Sequence, residues 1–304
     1  MGKLKIYLAE LRAPFFTGSV TPALLGAAIA WERTGHVNLF LLFLTILGLV
    51  FLHGGANVAN DYYDHLSGTD DVNKEYIRPF TGGSRMIQNG AMTPREVLIE
   101  ALALYAMAGA IGAYLAWVCG PMILVLGAIG VFSGFFYCAP PFKLVHRGIG
   151  EFFIGLNFGV LITLGAFYVQ ARSFSWEAFV ASVPMALLIT AILYINEFPD
   201  EAADRAAGKR HLVVRLGKKR AVVGYIGIMA ATYIVIIIAV VARWLTPWAL
   251  LGLVAVPIAA KAVAVARKNY DDSKALEPAN ALTIISHLVT GLGLSAGYII
   301  AGKI

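Results

Sequence analysis

Two acidic clusters interrupt an otherwise apolar chain of 304 residues, and they carry the side chains best suited to do chemistry. The first reads Asn60-Asp61-Tyr62-Tyr63-Asp64 and continues to Asp70 and Asp71; the second reads Asn196-Glu197-Phe198-Pro199-Asp200 and continues to Asp204. In each, an Asn stands four residues before an Asp at the end of a long apolar run. Positions four apart stack on one face of a helix, so Asn60 lies over Asp64, with Asp61 a near neighbour. Asn196, Asp200 and Asp204 form a longer stripe at the same spacing, provided the helix runs through Pro199, a residue type that otherwise kinks or ends a helix. Clustered carboxylates with amide oxygens suit a hard cation. Mg²⁺ takes such ligands, typically one or two carboxylates together with oxygens of a substrate phosphate. Zinc is disfavoured because neither cluster offers Cys and His at ligand spacing. His65 reads as an interfacial histidine, and Cys119 and Cys138 imply neither a disulfide framework nor a metal cluster. Lone aspartates at such positions are usually solvated caps, but a repeat of Asn-x-x-x-Asp at an offset of 136 residues argues otherwise. The offset also suggests a four-helix pseudo-repeat relating 60–64 to 196–200.

Basic residues crowd the same segments. Arg78 and Arg85 follow the first cluster, Lys209 and Arg210 the second, and Lys143 and Arg147 close an apolar run between them. Metal-binding acids ringed by Lys and Arg suit a diphosphate, since the metal bridges its oxygens and the cations neutralise leaving-group charge. Arg78, Arg85, Lys143 and Lys209 are the candidate phosphate contacts. Lys218, Lys219, Arg220, Arg267 and Lys268 read as topology charges.

The elements that position these residues are apolar helices. Hydrophobic residues make up 59% of the chain and charged residues 14%, which excludes an ordinary soluble domain. Continuous apolar runs predict nine transmembrane helices, near 14–32, 38–60, 97–118, 121–142, 150–171, 178–197, 221–242, 247–266 and 281–301. Such runs read as helices rather than alternating barrel strands, and the first is not expected to be a removable signal. The expectation is an all-α integral membrane protein forming one domain over residues 1–304. With the N-terminus cytoplasmic, 20 of the 24 Lys and Arg fall on the cytoplasmic side, leaving Arg33, Arg172, Arg243 and Lys303 opposite. The net charge of +6 is therefore mostly topology and not a nucleic-acid footprint. Four spans separate the two clusters, so both meet one membrane face, the cytoplasmic one.

These residues resemble the UbiA superfamily of intramembrane prenyltransferases, whose members carry an N/D-x-x-x-D motif and a D-x-x-x-D motif on cytoplasmic loops of a nine-helix bundle. The resemblance covers essentially the whole chain. It includes the run "DEAADRAAGKR" followed by "HLVVRLG", similar to the family's D-x-x-x-D-x-x-x-G-K-x-T-L-x-V-x-L-G, with His211 in place of the usual Thr. Within the superfamily the chain is most similar to the MenA-type branch, which prenylates 1,4-dihydroxy-2-naphthoate in menaquinone synthesis. "NDYYDHLSGTDD" and "YCAPPFKLVHRGIGE" carry that similarity and bring Tyr137, Lys143 and Glu151 to matching positions. Gly68 stands where many members have Asp, with Asp70 two residues later, which makes 4-hydroxybenzoate or geranylgeranylglyceryl phosphate the less favoured acceptor.

The resemblance implies two Mg²⁺ ions held by Asn60 and Asp64, completed by Asp61 or Asp70, and by Asn196, Asp200 and Asp204. It implies a prenyl diphosphate, from geranyl to longer chains, ionising beside Lys143, Arg78, Arg85 and Lys209, with Tyr137 near the allylic cation. The prenyl tail would lie by residues such as Phe132, Phe135, Phe136, Phe152 and Phe153. The partners would be an aromatic or lipid acceptor and the bilayer of the cell membrane, with the active site facing the cytoplasm and no nucleic acid. Rival readings fit less well. A CDP-alcohol phosphotransferase expects its aspartates in one short segment, a transporter places charges near the bilayer midplane, and a non-catalytic scaffold gives no reason for two matched acidic motifs.

Overall fold

The computed structural model describes residues 2–73 and 75–303, with the side chains of Asp71 and Val72 outside that description. All regular structure among these residues is helical. A short α1 (Lys3–Glu10) leads through a 3₁₀ turn (Ala13–Phe16) into α2 (Thr17–Thr34). Then come α3 (Leu39–Ser67), the one-turn α4 (Thr69–Val72), α5 (Pro94–Cys119) and α6 (Met122–Phe135). Next are α7 (Gly150–Ile154), a π-helical stretch (Gly155–Leu161) and α8 (Ile162–Ala171), which form one continuous rod. The long α9 (Trp176–Ala206) precedes α10 (Leu212–Leu216), α11 (Lys218–Val241), a 3₁₀ segment (Pro247–Ala255) continuing into α12 (Val256–Asn269), and α13 (Ser273–Ala301).

Among the described residues, eight helical rods are long and apolar enough to cross a membrane. The stretch 121–142, expected as a span, differs: it is helical only over Met122–Phe135. At 1.5 Å per residue that helix is about 21 Å long, short of the ~30 Å hydrocarbon core. The sequence there is apolar enough to continue. What stops it is Pro140-Pro141, since prolines lack the donor that a continuing helix needs.

The two motif-bearing helices overrun their apolar segments. α3 reaches Ser67 and α9 reaches Ala206, so both motifs lie on helix, not in loops. α9 runs straight through Pro199, which is buried within it, and the Asn196–Asp200–Asp204 stripe holds together. α3 stops at Gly68, whose left-handed backbone (φ 74°) lets its N–H close back on the carbonyls of Asp64 and His65. That turn starts α4 and brings Asp70 back beside Asp64.

The bundle buries small and aromatic residues and leaves large apolar ones outside. Trp117 is 83% exposed and Val241 78%, as expected of helices whose outer surface faces lipid. Inside, α9, α11 and α13 share one core that includes Met185, Tyr194, Tyr225 and Tyr298. Polar side chains there pair with each other: Tyr225 Oη meets Thr283 Oγ1 at 2.7 Å and Tyr298 Oη donates to Glu177 at 3.0 Å. Tyr225→Phe removes the hydrogen bond to Thr283, whose own hydroxyl stays bonded to the Ala279 carbonyl at 2.6 Å, and is expected to cost about 1 kcal/mol. A lower thermal midpoint in detergent checks this; an unchanged midpoint would contradict it.

Candidate functional site

The ends of α3 and α9 converge on one pocket of about 140 Å³. Asn60, Asp64 and Asp70 line it from one side, and Asn196, Asp200 and Asp204 from the other. Lys209 joins the two motifs: its Nζ lies 2.9 Å from Asp64 and 3.2 Å from Asp204. Burial alone would discharge this ammonium, but Asp64 and Asp204 outweigh that and hold its pKa well above the ordinary lysine value. The opposite pressure acts on Asp70. Burial, then the Asp64 and Asp61 carboxylates, push its pKa up to about 8. The pocket thus crowds five carboxyl groups, of Asp64, Asp70, Glu197, Asp200 and Asp204, against three basic side chains, Arg12, Lys209 and His211.

The amides have definite tasks. Asn60 Nδ2 donates to Asp64 at 3.2 Å, and the Cys138 thiol donates to the other end of the same amide. Asn196 Oδ1 accepts from Asn280 of α13 at 2.7 Å, and Asn73 Nδ2 donates to Asp200 at 2.7 Å. Asn60 thus orients Asp64, while Asn196 is itself held in place by Asn280.

Asp61 turns elsewhere. It does not line the pocket; its Oδ2 accepts from the Ser84 N–H at 2.7 Å, and Arg12 stands 4.0 Å away. Gly83 makes this possible: its backbone has φ 69°, and a Cβ there would stand 2.8 Å from Asp61 Oδ1. Asp61 therefore pins the 76–92 loop over the pocket, and Asp70 is the additional acid that reaches it. Arg78 and Arg85 also build that loop. Arg78 donates to Ser84 O at 3.2 Å, while Arg85 donates to Asp70 O at 2.9 Å and lies over the Tyr76 ring at 4.4 Å. Neither lines the pocket, nor does Lys143, which adopts a left-handed backbone (φ 45°) at the turn before Leu144.

Sequence reasoning did not single out Arg12, Asn73, Asn280 or Glu197. Arg12 comes from the corner between α1 and α2, and Asn280 from the far end of the chain; neither lies in a motif. His211 could be flagged only as a departure. It sits 3.1 Å from Asp204 and 3.4 Å from Glu197, and its pKa is pushed up to about 10 because Glu197 and then the other acid contacts outweigh its burial. Glu151, Glu197 and His211 also bring three ligand atoms within 4.8 Å of one another, a grouping absent from either cluster alone.

Below the acid pocket lies a chamber of about 730 Å³, lined mainly by apolar side chains. The two spaces share Arg12, Asn60, Tyr137, Leu193 and Asn196, so Tyr137 stands where charge gives way to oil. Of the five phenylalanines expected along a tail, only Phe135 lines the chamber; Phe15 and Phe158 join it. Phe132 and Phe152 are instead 48% and 67% exposed, because they lie on outward faces of their helices.

The donor set of the pocket is oxygen-rich, acidic and short of positive charge, and one ammonium already lodges between its two halves. That fits a hard divalent cation better than a soft one. An acid pocket opening on an apolar chamber within a helical bundle defines a class of membrane enzyme that handles molecules with an anionic head and an oily tail.

The comparisons agree. Residues 19–286 match the UbiA prenyltransferase family, and the chain belongs to that family. It is a transferase of prenyl groups and a multi-pass membrane protein. It is 28% identical over 303 residues to the 2-carboxy-1,4-naphthoquinone phytyltransferase of Synechocystis, covering 98% of this chain and 94% of that one. It is 32% identical over 257 residues to the 1,4-dihydroxy-2-naphthoate octaprenyltransferase of Mycobacterium tuberculosis, covering 84% and 82%. The fold matches a UbiA homolog from Archaeoglobus fulgidus bound to GPP and Mg²⁺, with a TM-score of 0.60 and 16% identity over 96% and 99% of the two chains.

Two outcomes follow from the charge balance. Lys209→Met removes the pocket's bridging cation, so the metal-free variant should melt earlier, and added Mg²⁺ should raise its midpoint more than that of the wild type. An unchanged midpoint with and without Mg²⁺ would exclude Lys209 from this balance. Asp70, with its pKa raised to about 8, holds a proton at neutral pH in the metal-free protein, and a bound cation must displace it. Mg²⁺ affinity should therefore rise with pH and level off above about 8. Calorimetry in buffers of different ionisation enthalpy counts that proton; binding at pH 7 without release would overturn the assignment.

Proposed function

We propose that the protein transfers a polyprenyl group from a prenyl diphosphate to 1,4-dihydroxy-2-naphthoate, the acceptor in the names of several relatives that match more than four fifths of its length. The observation that carries the reading is the convergence of Asp64 and Asp204, from motifs far apart in sequence, on the single ammonium of Lys209 at the mouth of an apolar chamber.

Asp64, Asp70, Asp200 and Asp204 would hold Mg²⁺, with Asn60 orienting Asp64. Held there, two ions in this reading, Mg²⁺ would supply Lewis-acid stabilisation of the charge on a departing diphosphate. Lys209 and Arg12 are the protein's own cations at this pocket and would bind the diphosphate directly. Lys143, Arg78 and Arg85 contribute positive field around its mouth. The allylic carbon–oxygen bond breaks with its electron pair leaving on the diphosphate, and the chain's terminal carbon faces the chamber beside Tyr137. There the phenol's π face stabilises positive charge, and apolar walls keep water from capturing the cation. An electron-rich carbon of the acceptor ring then forms the new carbon–carbon bond, and the ring regains its aromaticity as that carbon sheds its substituent: a proton taken up by the departed diphosphate or, at the carboxyl-bearing carbon, carbon dioxide.

In this reading the pocket opens toward the cytoplasmic face of the cell membrane, in keeping with the clustering of Lys and Arg on the segments that surround it.

Purified protein incubated with Mg²⁺, geranylgeranyl diphosphate and each of dihydroxynaphthoate, 4-hydroxybenzoate and geranylgeranylglyceryl phosphate tests the acceptor, with products identified by mass. Prenylated naphthalene as the main product is expected; preference for either of the others would overturn the acceptor. Asp64→Ala and Asp200→Ala should each abolish transfer while leaving a monodisperse protein in detergent. Retained turnover in either variant would remove that residue from the metal site.

A further inference from the structure

The chamber below the acid pocket has two unlike walls. α6 contributes mainly apolar and small residues, such as Leu124, Gly127, Val131 and Phe135, and its one polar liner, Ser133, is already bonded to Ile129 O and Asn157. The wall made by α2 and α3 carries Ser19, His53, Asn57 and Asn60. On α3 the positions 53, 57, 60 and 64 follow at intervals of four, three and four, so one face runs polar from the metal-binding acid down into the bundle. At 1.5 Å per residue, His53 lies about 10 Å below Asn60 along the helix.

His53 is held in place. Its Nδ1 lies 2.8 Å from Ser19 Oγ, and its ring packs edge-on between Phe16 at 5.3 Å and Phe158 at 4.6 Å. Phe158 belongs to the π-helical stretch, a widened turn of the kind that often accompanies functional sites. The Ser19 hydroxyl has no other acceptor among the described residues, and where it gives its proton to Nδ1 the imidazole carries its own N–H at Nε2. That N–H has no protein partner among the described residues, and His53 lines the chamber. Asn57 spends its amide N–H on Leu11 O at 3.1 Å, which leaves its oxygen free as an acceptor.

A polyisoprene tail makes no hydrogen bonds, and a donor facing a dry apolar space without a partner is costly. A polar stripe along one wall therefore serves no purpose for the tail. We propose that His53, backed by Ser19 and aided by Asn57, forms the subsite that binds the oxygen substituents of the aromatic acceptor, while the prenyl tail follows the α6 wall. His53 Nε2–H donates to an acceptor oxygen, and the Asn57 oxygen accepts from a ring hydroxyl. The oxygens of such an acceptor sit on its reacting ring, so an oxygen held by His53 places the attacked carbon a few ångströms above it, between His53 and the level of Asn60, where the diphosphate end of the chain arrives. This subsite rests on the proposed prenylation of an aromatic acceptor and adds the residues that select it.

The test uses the full-length protein in detergent and begins with the wild type. Wild-type protein that prenylates no aromatic acceptor refutes the functional reading itself, and the subsite with it. Given wild-type transfer to dihydroxynaphthoate, His53→Phe fills the same space between two aromatic rings but removes the donor. It should raise the acceptor KM at least about tenfold, as expected when a buried hydrogen bond to substrate is lost, and leave the KM for geranylgeranyl diphosphate unchanged. His53→Gln, which carries an amide N–H near the position of Nε2, should recover most of the acceptor affinity. Ser19→Ala should weaken the acceptor by less than His53→Phe does. A purely structural role for His53 would lower the thermal midpoint and raise both KM values together, and that result would overturn the subsite. So would an acceptor KM unchanged in His53→Phe. If His53→Phe does not fold, Ser19→Ala decides: it must shift the acceptor KM and not the diphosphate KM.

Discussion

The structure depends on one electrostatic constraint: five carboxyl groups, from α3 and α4 on one side and α9 on the other, face each other in a pocket at the end of an apolar bundle. Charges so placed are stable only with compensating positive charge. Lys209 supplies part of it, lying within 3.2 Å of both motifs, yet Asp70 remains pushed up to about 8. The crowding of oxygen ligands that can shed protons is what suits the pocket to bind cations and, through them, an anionic substrate. The rest of the fold is arranged around those acids. α3 and α9 extend past their apolar segments to present the acids, Gly68 turns the chain so that Asp70 joins them, and the 76–92 loop is pinned by Asp61 through the Ser84 N–H.

A second consequence concerns the join between charged pocket and apolar chamber. Few residues touch both, and among them Tyr137, Arg12 and the two motif asparagines define where a head group ends and a tail begins. A substrate with both characters is held by both spaces at once. That division explains how a membrane enzyme can separate a diphosphate from a reactive carbon chain without admitting water to the chain. It also gives the polar stripe of α3 its meaning, since that stripe continues from the charged pocket into a space that is otherwise oil.

Much of this was legible in the sequence because the membrane imposes a simple code. Apolar runs of sufficient length mark helices, and the spacing of four in each motif puts its oxygens on one face. The limits of that code are equally specific. It read 121–142 as one span, whereas Pro140-Pro141 leave only Met122–Phe135 helical. It marked Pro199 as a possible break, but α9 continues through it with the proline buried against its neighbours. It placed five phenylalanines along the tail by proximity in sequence, and facing direction excluded four of them. It also ranked cations by distance along the chain. Arg78 and Arg85 are close to the first motif in sequence but spend their donors on backbone carbonyls, whereas Arg12, far from both motifs, lines both cavities.

The sequence by itself determined the helical membrane architecture, the two acidic motifs and their family resemblance, because hydropathy and helical periodicity are local properties. Tertiary structure alone decided which acids share a pocket, that Lys209 bridges them, that Asp70 rather than Asp61 faces the cavity, and that Asn280 and Asn73 hold the motifs in orientation. Those outcomes depend on contacts between helices far apart in the chain, and on which lone pair or N–H each side chain has already committed. No spacing rule along a single chain encodes that.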